Sequence, residues 1–189
     1  GVAGPWSRFR ADFAESRLAL FGLALLVVIL LVGLLAPVIS PQNPYDLAQL
    51  DIMDSKLAPG ERSADGSTYW LGTDDQGRDM LSGIFYGLRI SLGVGIASTV
   101  FALAIGLVFG LVAAYFGGWV DTLVMRIVDI QLSFPSILIA LILLAVLGQG
   151  VDKIVIALIT VQWAYYARTV RASALVERTT GTPVTSAMI

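Results

Sequence analysis

The chain has 189 residues, of which 57% are hydrophobic and 14% charged, with a formal net charge of −2 and neither Cys nor His. A soluble domain carries about a quarter charged residues, so this composition points to an integral membrane protein. It excludes disulfides, thiol or imidazole catalysis and the usual His/Cys zinc sites, and its small net charge argues against a nucleic-acid partner.

In chain order, residues 1–17 read as a cytoplasmic amphipathic segment. Trp6, Phe9, Phe13 and Leu20 recur at helical spacing, with Arg8, Asp12, Glu15 and Arg17 on the remaining surface. That pattern suits either a helix lying in the membrane interface or an ordinary basic, aromatic flank. A first span is expected over 18–39, inside the charge-free stretch Leu18–Tyr45. About 20 apolar residues cross a hydrocarbon core of ~30 Å at ~1.5 Å per residue. Leu18–Leu35 is too long for a secretory h-region and Ala36-Pro37-Val38 is a poor cleavage site, so the span reads as a retained anchor. Arg8, Arg10 and Arg17 precede it and no cation follows until Lys56, which places the N-terminus in the cytoplasm.

Residues 40–88 then form an extracytoplasmic loop, in which Pro41, Pro44 and Pro59 break helices and Asp65-Gly66 reads as a turn. Eight of the fourteen acidic residues lie between Asp46 and Asp79. A second span is expected over 89–115, carrying small residues on one stripe: Gly95, Thr99, Ala102, Gly106, Gly110 and Ala113. Small residues let helix backbones approach in a membrane, so this face is expected to pack against another helix.

Gly117 and Gly118 stop that helix before a cytoplasmic connection, 116–129, in which Arg126 and Asp129 are spaced to pair. The third span, 130–148, contains Ser133, Pro135 and Ser136, read as a bend whose hydroxyls help satisfy freed carbonyls. These three are the candidate pathway residues, with a purely structural kink as the other reading. An outside turn at 149–153 leads to a fourth span, 154–173, with Arg168 and Arg171 on one face of its cytoplasmic end. They serve as snorkelling interfacial arginines or as anchors for a coupling segment. The remainder, 174–189, is a cytoplasmic tail.

Little catalytic chemistry is visible. There is no phosphate-binding G-x-x-x-x-G-K-[ST], and Asp74-Asp75-Gln76-Gly77-Arg78-Asp79 lacks the spacing and terminal Glu of an EF-hand. Nothing between Leu18 and Leu35 or within Ile90–Ala114 is ionisable, which removes the usual marks of an ion relay. The residues alone therefore describe an all-α, polytopic membrane protein with four transmembrane helices, an N-terminal interfacial helix and no enzymatic role.

One segment goes further. Leu71, Gly72, Thr73 and Asp74, followed by Gly77, Arg78 and Asp79, resemble the LGTD-x-x-GRD element of permease subunits of oligopeptide, dipeptide and nickel ABC importers. Tyr86-Gly87-Leu88-Arg89-Ile90-Ser91-Leu92, Tyr115 to Asp121, Arg126 to Asp129, Phe134-Pro135-Ser136 and Ala167 to Arg171 follow in the family's order. The ordered set resembles the second permease of the pair and covers roughly residues 10–178, with a partial type-1 permease domain over 89–178.

The resemblance implies a bacterial inner (cytoplasmic) membrane protein, multi-pass, working with a second permease subunit, two cytoplasmic ATPase subunits and an extracytoplasmic substrate-binding protein. ATP and Mg would be bound by the ATPases, with no cofactor on this chain; the lipid bilayer is its other partner, and no nucleic acid is involved. Peptides are the expected substrate class. The family continues past the fourth span with a Glu-Ala-Ala coupling loop and two further spans; no Glu-Ala-Ala occurs here, so the chain is expected to be the N-terminal part of such a permease, truncated before the coupling loop. Two other functions compete: a membrane-embedded hydrolase using Asp74, Asp75 and Asp79, and a structural membrane subunit that only holds a partner.

Overall fold

A computed structural model describes residues 10, 11 and 13–180. Trp6, Arg8, Phe9 and Asp12, which carry most of the expected amphipathic pattern, and the tail beyond Thr180 lie outside the described residues. The chain forms two compact units, divided after Leu92. Among the described residues the architecture is helical, with two isolated antiparallel bridges, Arg62 to Thr68 and Thr73 to Asp79.

In the first unit, α1 spans Arg17–Ile39. Ser16 sets its start, its hydroxyl accepting the Ala19 amide at 3.2 Å, as N-cap hydroxyls do. Pro37 sits in the last turn and the helix stops at Ser40. Gly33 lies against the next helix: a Cβ there would come within 2.8 Å of Leu92 Cδ1 and 3.6 Å of Arg89 Cα. Between the two helices the chain makes 3-10 turns at Leu47–Gln49 and Ile52–Asp54.

Helix α2, Met80–Phe116, has 37 residues and runs from the first unit into the second. It begins nine residues before the expected second span, because Asp79 caps it and 80–89 contains no proline. The expected connection 116–129 is largely helical: α3 spans Gly118–Ser133, entered through Gly117 at φ 61°. Helix α4 follows at Ser136–Leu147, and α5 at Val151–Thr180 packs against both α3 and α4. Val128, Ala164 and Ala167 are buried where α3 meets α5, with Met125, Leu132 and Trp163 packed around them.

The third span differs from its expected form. Residues 130–147 are two helices at 88°, broken at Phe134-Pro135, where a bend within one helix was expected. Pro135 has no amide to donate and forces the residue before it into extended backbone, and Phe134 sits at φ −92°, ψ 144°. Among the described residues two helices, α1 and α2, are long and apolar enough to cross a membrane, and three spans result if the bent pair counts as one.

Candidate functional site

The motif residues form a scaffold at the entrance to α2. Thr73 and Asp79 pair across the turn that Gly77 closes. Asp74 Oδ1 accepts the amides of Gln76 and Arg78 at 2.8 and 2.9 Å, folding an Asx turn. Gly72 and Gly77 have φ of 76° and 75°. A Cβ at Gly77 would run into the carbonyl of Asp51, and one at Gly72 into that of Leu57. Glycine is required at both, by backbone angle and by space.

Asp79 is buried, 2% exposed. Its Oδ2 accepts the Ser82 amide at 2.9 Å and the Ser82 hydroxyl at 2.5 Å, capping α2. Gln42, just past α1, completes the junction: its Oε1 accepts the Asp79 amide at 2.8 Å and its amide donates to Ser82 Oγ at 3.1 Å. One glutamine thus ties the exit of α1 to the entry of α2. Sequence reasoning missed Gln42, since its partners lie 37 and 40 positions away and no local pattern marks it.

Opposite the motif runs Asp51 to Leu57. The Lys56 amide donates to the Asp74 carbonyl at 2.9 Å, the Thr73 amide to the Leu57 carbonyl at 3.1 Å, and the Leu57 amide to Thr73 Oγ1 at 2.8 Å. Thr73 Oγ1 also donates to the Asp54 carbonyl. Tyr69 is buried and its hydroxyl donates to Asp54 Oδ2 at 3.0 Å. Burial, and then the Asp54 carboxylate beside it, push the Tyr69 hydroxyl up to about 12. Asp74 and Asp79 are thus committed to amides within the motif, and Asp75 is exposed.

Of the expected stripe on α2, Ala102, Gly106, Gly110 and Ala113 are buried. Gly106 and Gly110 meet α5: Cβ atoms there would lie 2.5 Å from Tyr166 Cβ and 2.7 Å from the Ala167 carbonyl oxygen. Gly95 and Thr99 are exposed, and Ser98 is the buried residue at that level.

Ser133 donates to the Asp129 carbonyl at 2.6 Å, one turn back, easing the end of α3. Close by, Gln131 Nε2 donates to the Thr160 carbonyl and its Oε1 accepts the Trp163 indole N–H at 2.9 Å, tying the broken end to α5. Arg168 pairs with Asp129, displacing the expected Arg126–Asp129 pair, and Arg171 makes a bidentate pair with Asp121. These ion pairs line an open cavity of about 410 Å³ together with Thr122, Met125 and Arg126. Arg178 Nη1 donates to the Ala114 carbonyl at 2.6 Å, satisfying an orphan acceptor near the end of α2. Among the described residues no group of three or more carboxylates is placed to hold a metal ion.

Residues 106–181 match the family model of the binding-protein-dependent transport system inner membrane component. Residues 4–59 match the N-terminal TM domain of oligopeptide transport permease C. The dipeptide transport system permease protein DppC of Haemophilus influenzae is 33% identical over 174 residues, covering 92% of this chain and 58% of that protein. The oligopeptide transport system permease protein OppC of Bacillus subtilis is 34% identical over 170 residues, 90% of this chain and 53% of the relative. The di/tripeptide transport system permease protein DppC of Pseudomonas aeruginosa is 36% identical over 174 residues, 92% and 56%. The chain therefore spans somewhat over half the length of the curated relatives it matches.

Proposed function

The chain belongs to the binding-protein-dependent inner-membrane permeases of ABC importers, and from that premise we propose that it forms part of the translocation pathway for di- or oligopeptides. The observation that carries this is the pair of family segments, in the right order, on a chain about a third identical to peptide permeases over nine-tenths of its length. The family's permeases are not enzymes; in this reading ATP and Mg are bound by two cytoplasmic ATPase subunits, a second permease completes the pathway, and an extracytoplasmic binding protein delivers substrate.

The same reading assigns four spans, with α5 as the fourth, the N-terminus in the cytoplasm and the segment before Ser16 in the membrane interface. Two features support it: the arginines that precede α1 and those that close α5, as the positive-inside rule requires. The frame at Leu71–Asp79 then faces the outside. Ser133, Pro135 and Ser136, at the break between α3 and α4, are proposed to border the pathway, since irregular backbone at membrane depth is tolerated beside protein or a water-filled cavity.

Uptake of a labelled tripeptide tests the function. The complete gene, expressed with its partner subunits in a strain lacking peptide permeases, is expected to restore uptake; no uptake of di-, tri- or pentapeptides would refute the peptide assignment. Orientation is tested separately. In this Cys-free chain, Cys at Ser63 should react with an impermeant reagent in intact cells and Cys at Ser7 should not. The opposite result inverts the topology.

A further inference from the structure

The open cavity of about 410 Å³ between α3 and α5 is lined by three guanidiniums and two carboxylates. The three cations are committed to different degrees. Arg171 holds Asp121 with two of its nitrogens. Arg168 reaches Asp129 with one, and both side chains of that pair are more than half exposed. Arg126 is exposed and has no hydrogen-bond or ion-pair partner among the described residues. A guanidinium carries five N–H donors in a planar fork that matches phosphate oxygens. Most of those on Arg126 and Arg168 are left for a ligand.

The place of the cavity along the chain suits a membrane interface. On α3, residues 121–129 lie between the charge-free stretches 90–120 and 130–151. On α5, Arg168 and Arg171 follow directly on the charge-free stretch 154–167. The lining charges therefore stand where apolar helix gives way to polar. Beside Arg126, the residues Leu123, Ile127 and Ile130 are spaced four and three apart on α3 and all are exposed, forming an apolar stripe next to the cations.

Resting on the permease reading above, which puts this end of α5 in the cytoplasm, we propose that the cavity binds the phosphate of an anionic phospholipid between Arg126 and Arg168, with its acyl chains along Leu123, Ile127 and Ile130. Basic pockets between membrane helices on the cytoplasmic side suit such head groups. The phosphate takes the place of Asp129 on Arg168. Little is lost in that exchange, since an exposed single-contact pair is worth little. The bidentate Arg171–Asp121 pair stays closed and keeps α3 against α5. Free phosphate offers the same oxygens to the same guanidiniums, but it leaves the stripe uncovered, and the stripe is what favours a lipid.

The test titrates the delipidated complex of the complete permease and its partner subunits with phosphatidylglycerol or with phosphatidylcholine, and reads bound lipid by native mass spectrometry. Arg126→Gln and Arg168→Gln are each expected to weaken phosphatidylglycerol binding about fivefold, and together about thirtyfold, with phosphatidylcholine binding unchanged. Asp129→Asn removes the competing carboxylate and frees Arg168, so it is expected to tighten phosphatidylglycerol binding by up to about fivefold. That gain keeps the test decisive even if the double variant misfolds. Lys153→Gln, near the opposite end of α5, should change nothing. Wild-type phosphatidylglycerol affinity in a folded double variant overturns the proposal, as does weaker binding in Asp129→Asn. Inorganic phosphate that displaces the lipid at equimolar concentration overturns the lipid source. Loss of the ATPase subunits from the double variant with lipid binding unchanged assigns the arginines to a protein contact and overturns it as well. Tripeptide uptake by the same wild-type complex keeps the two readings apart: uptake without lipid selectivity overturns the site alone, and lipid selectivity without uptake overturns the peptide assignment alone.

Discussion

Between Gln42 and Ser82 the chain is fastened by side chains that reach backbone groups: Gln42 to Asp79, Asp74 to Gln76 and Arg78, Thr73 to Leu57, Asp79 to Ser82. Between Gly106 and Arg178 it is fastened by the absence of side chains, where Gly106 and Gly110 admit the backbone of α5, and by arginines paired at one end. On the permease reading proposed above, the difference follows from the surroundings. Outside the membrane, water competes for every backbone amide of an irregular loop, so order requires specific acceptors at fixed offsets. Within the membrane helices satisfy their own backbones, and association depends on how closely two surfaces meet.

The contrast is broken most directly at Gly77. Gly77→Ala places a methyl on the Asp51 carbonyl at φ 75°, and neither backbone can move without releasing the Thr73–Leu57 ladder. A loss of about 3 kcal/mol in the local stability of the loop is expected, the upper range for stored backbone strain. Hydrogen exchange at 51–57 and 72–79 should accelerate while α5 stays protected. Gly66→Ala, also at positive φ but with open space around it, should cost about 1 kcal/mol. Equal effects would show that backbone angle alone, and not the close approach, fixes Gly77.

Gly106 sharpens the other half. The same substitution has opposite signs at two helical glycines of α2. Gly106→Ala drives a Cβ to 2.5 Å from Tyr166 Cβ and is expected to destabilise by about 1–3 kcal/mol. Gly95→Ala meets nothing within 4 Å and should stabilise by about 0.5–1 kcal/mol through helix propensity. Thermal unfolding in detergent, followed by circular dichroism, reads both; a gain at both positions would refute the close approach of α2 and α5.

Sequence made some of this visible and hid the rest for identifiable reasons. Gly106 and Gly110 could be found because four-residue spacing on a helix is a local pattern. At the far end of the stripe Ser98 is buried while Gly95 and Thr99 are exposed, a choice that residue spacing alone does not make. The motif glycines were recognisable, but what they avoid, the carbonyls of Asp51 and Leu57, is fixed by a segment about 15–26 positions away. Pro135 announced an irregularity and not its size, since the 88° break depends on Phe134 going extended. Asp129 had a local candidate in Arg126 and took Arg168, 39 positions on, which only tertiary packing could decide.

Tyr69 offers a pH test of the frame between α1 and α2. Its hydroxyl is held up to about 12 by burial first and by the Asp54 hydrogen bond second, against about 10 unperturbed. A raised folded value means that the neutral phenol is the form the fold favours. Its contribution is complete below pH 10 and is lost as pH climbs from about 10 to 12. Tyr69→Phe removes one buried hydrogen bond and leaves Asp54 short of a donor, for about 1 kcal/mol at neutral pH. Phenolate absorbance should show a late-titrating component in the wild type that Tyr69→Phe removes. A Tyr69 that titrates near 10 would mean that the Asp54 bond is open to water.

The smallest effects are expected at the ion pairs of the second unit, and there the two pairs should differ. Arg168 and Asp129 have side chains 51% and 58% exposed, whereas those of Arg171 and Asp121 are 29% and 22% exposed. The first pair is a single contact in high dielectric, which offsets little of the entropy of holding two long side chains. The second is bidentate, with the planar guanidinium matched to both carboxylate oxygens. Double-mutant cycles with Arg168→Gln and Asp129→Asn should return a coupling at the lower end of ~0.2–1 kcal/mol, falling further at high salt. The cycle with Arg171→Gln and Asp121→Asn should reach or slightly exceed the upper end of that range, ~1 kcal/mol, and resist salt. Arg171→Lys should not restore it, since an ammonium cannot span both oxygens. If the exposed pair couples as strongly as the bidentate one, burial and geometry are not what separates them, and the two pairs act instead as one network around the shared cavity.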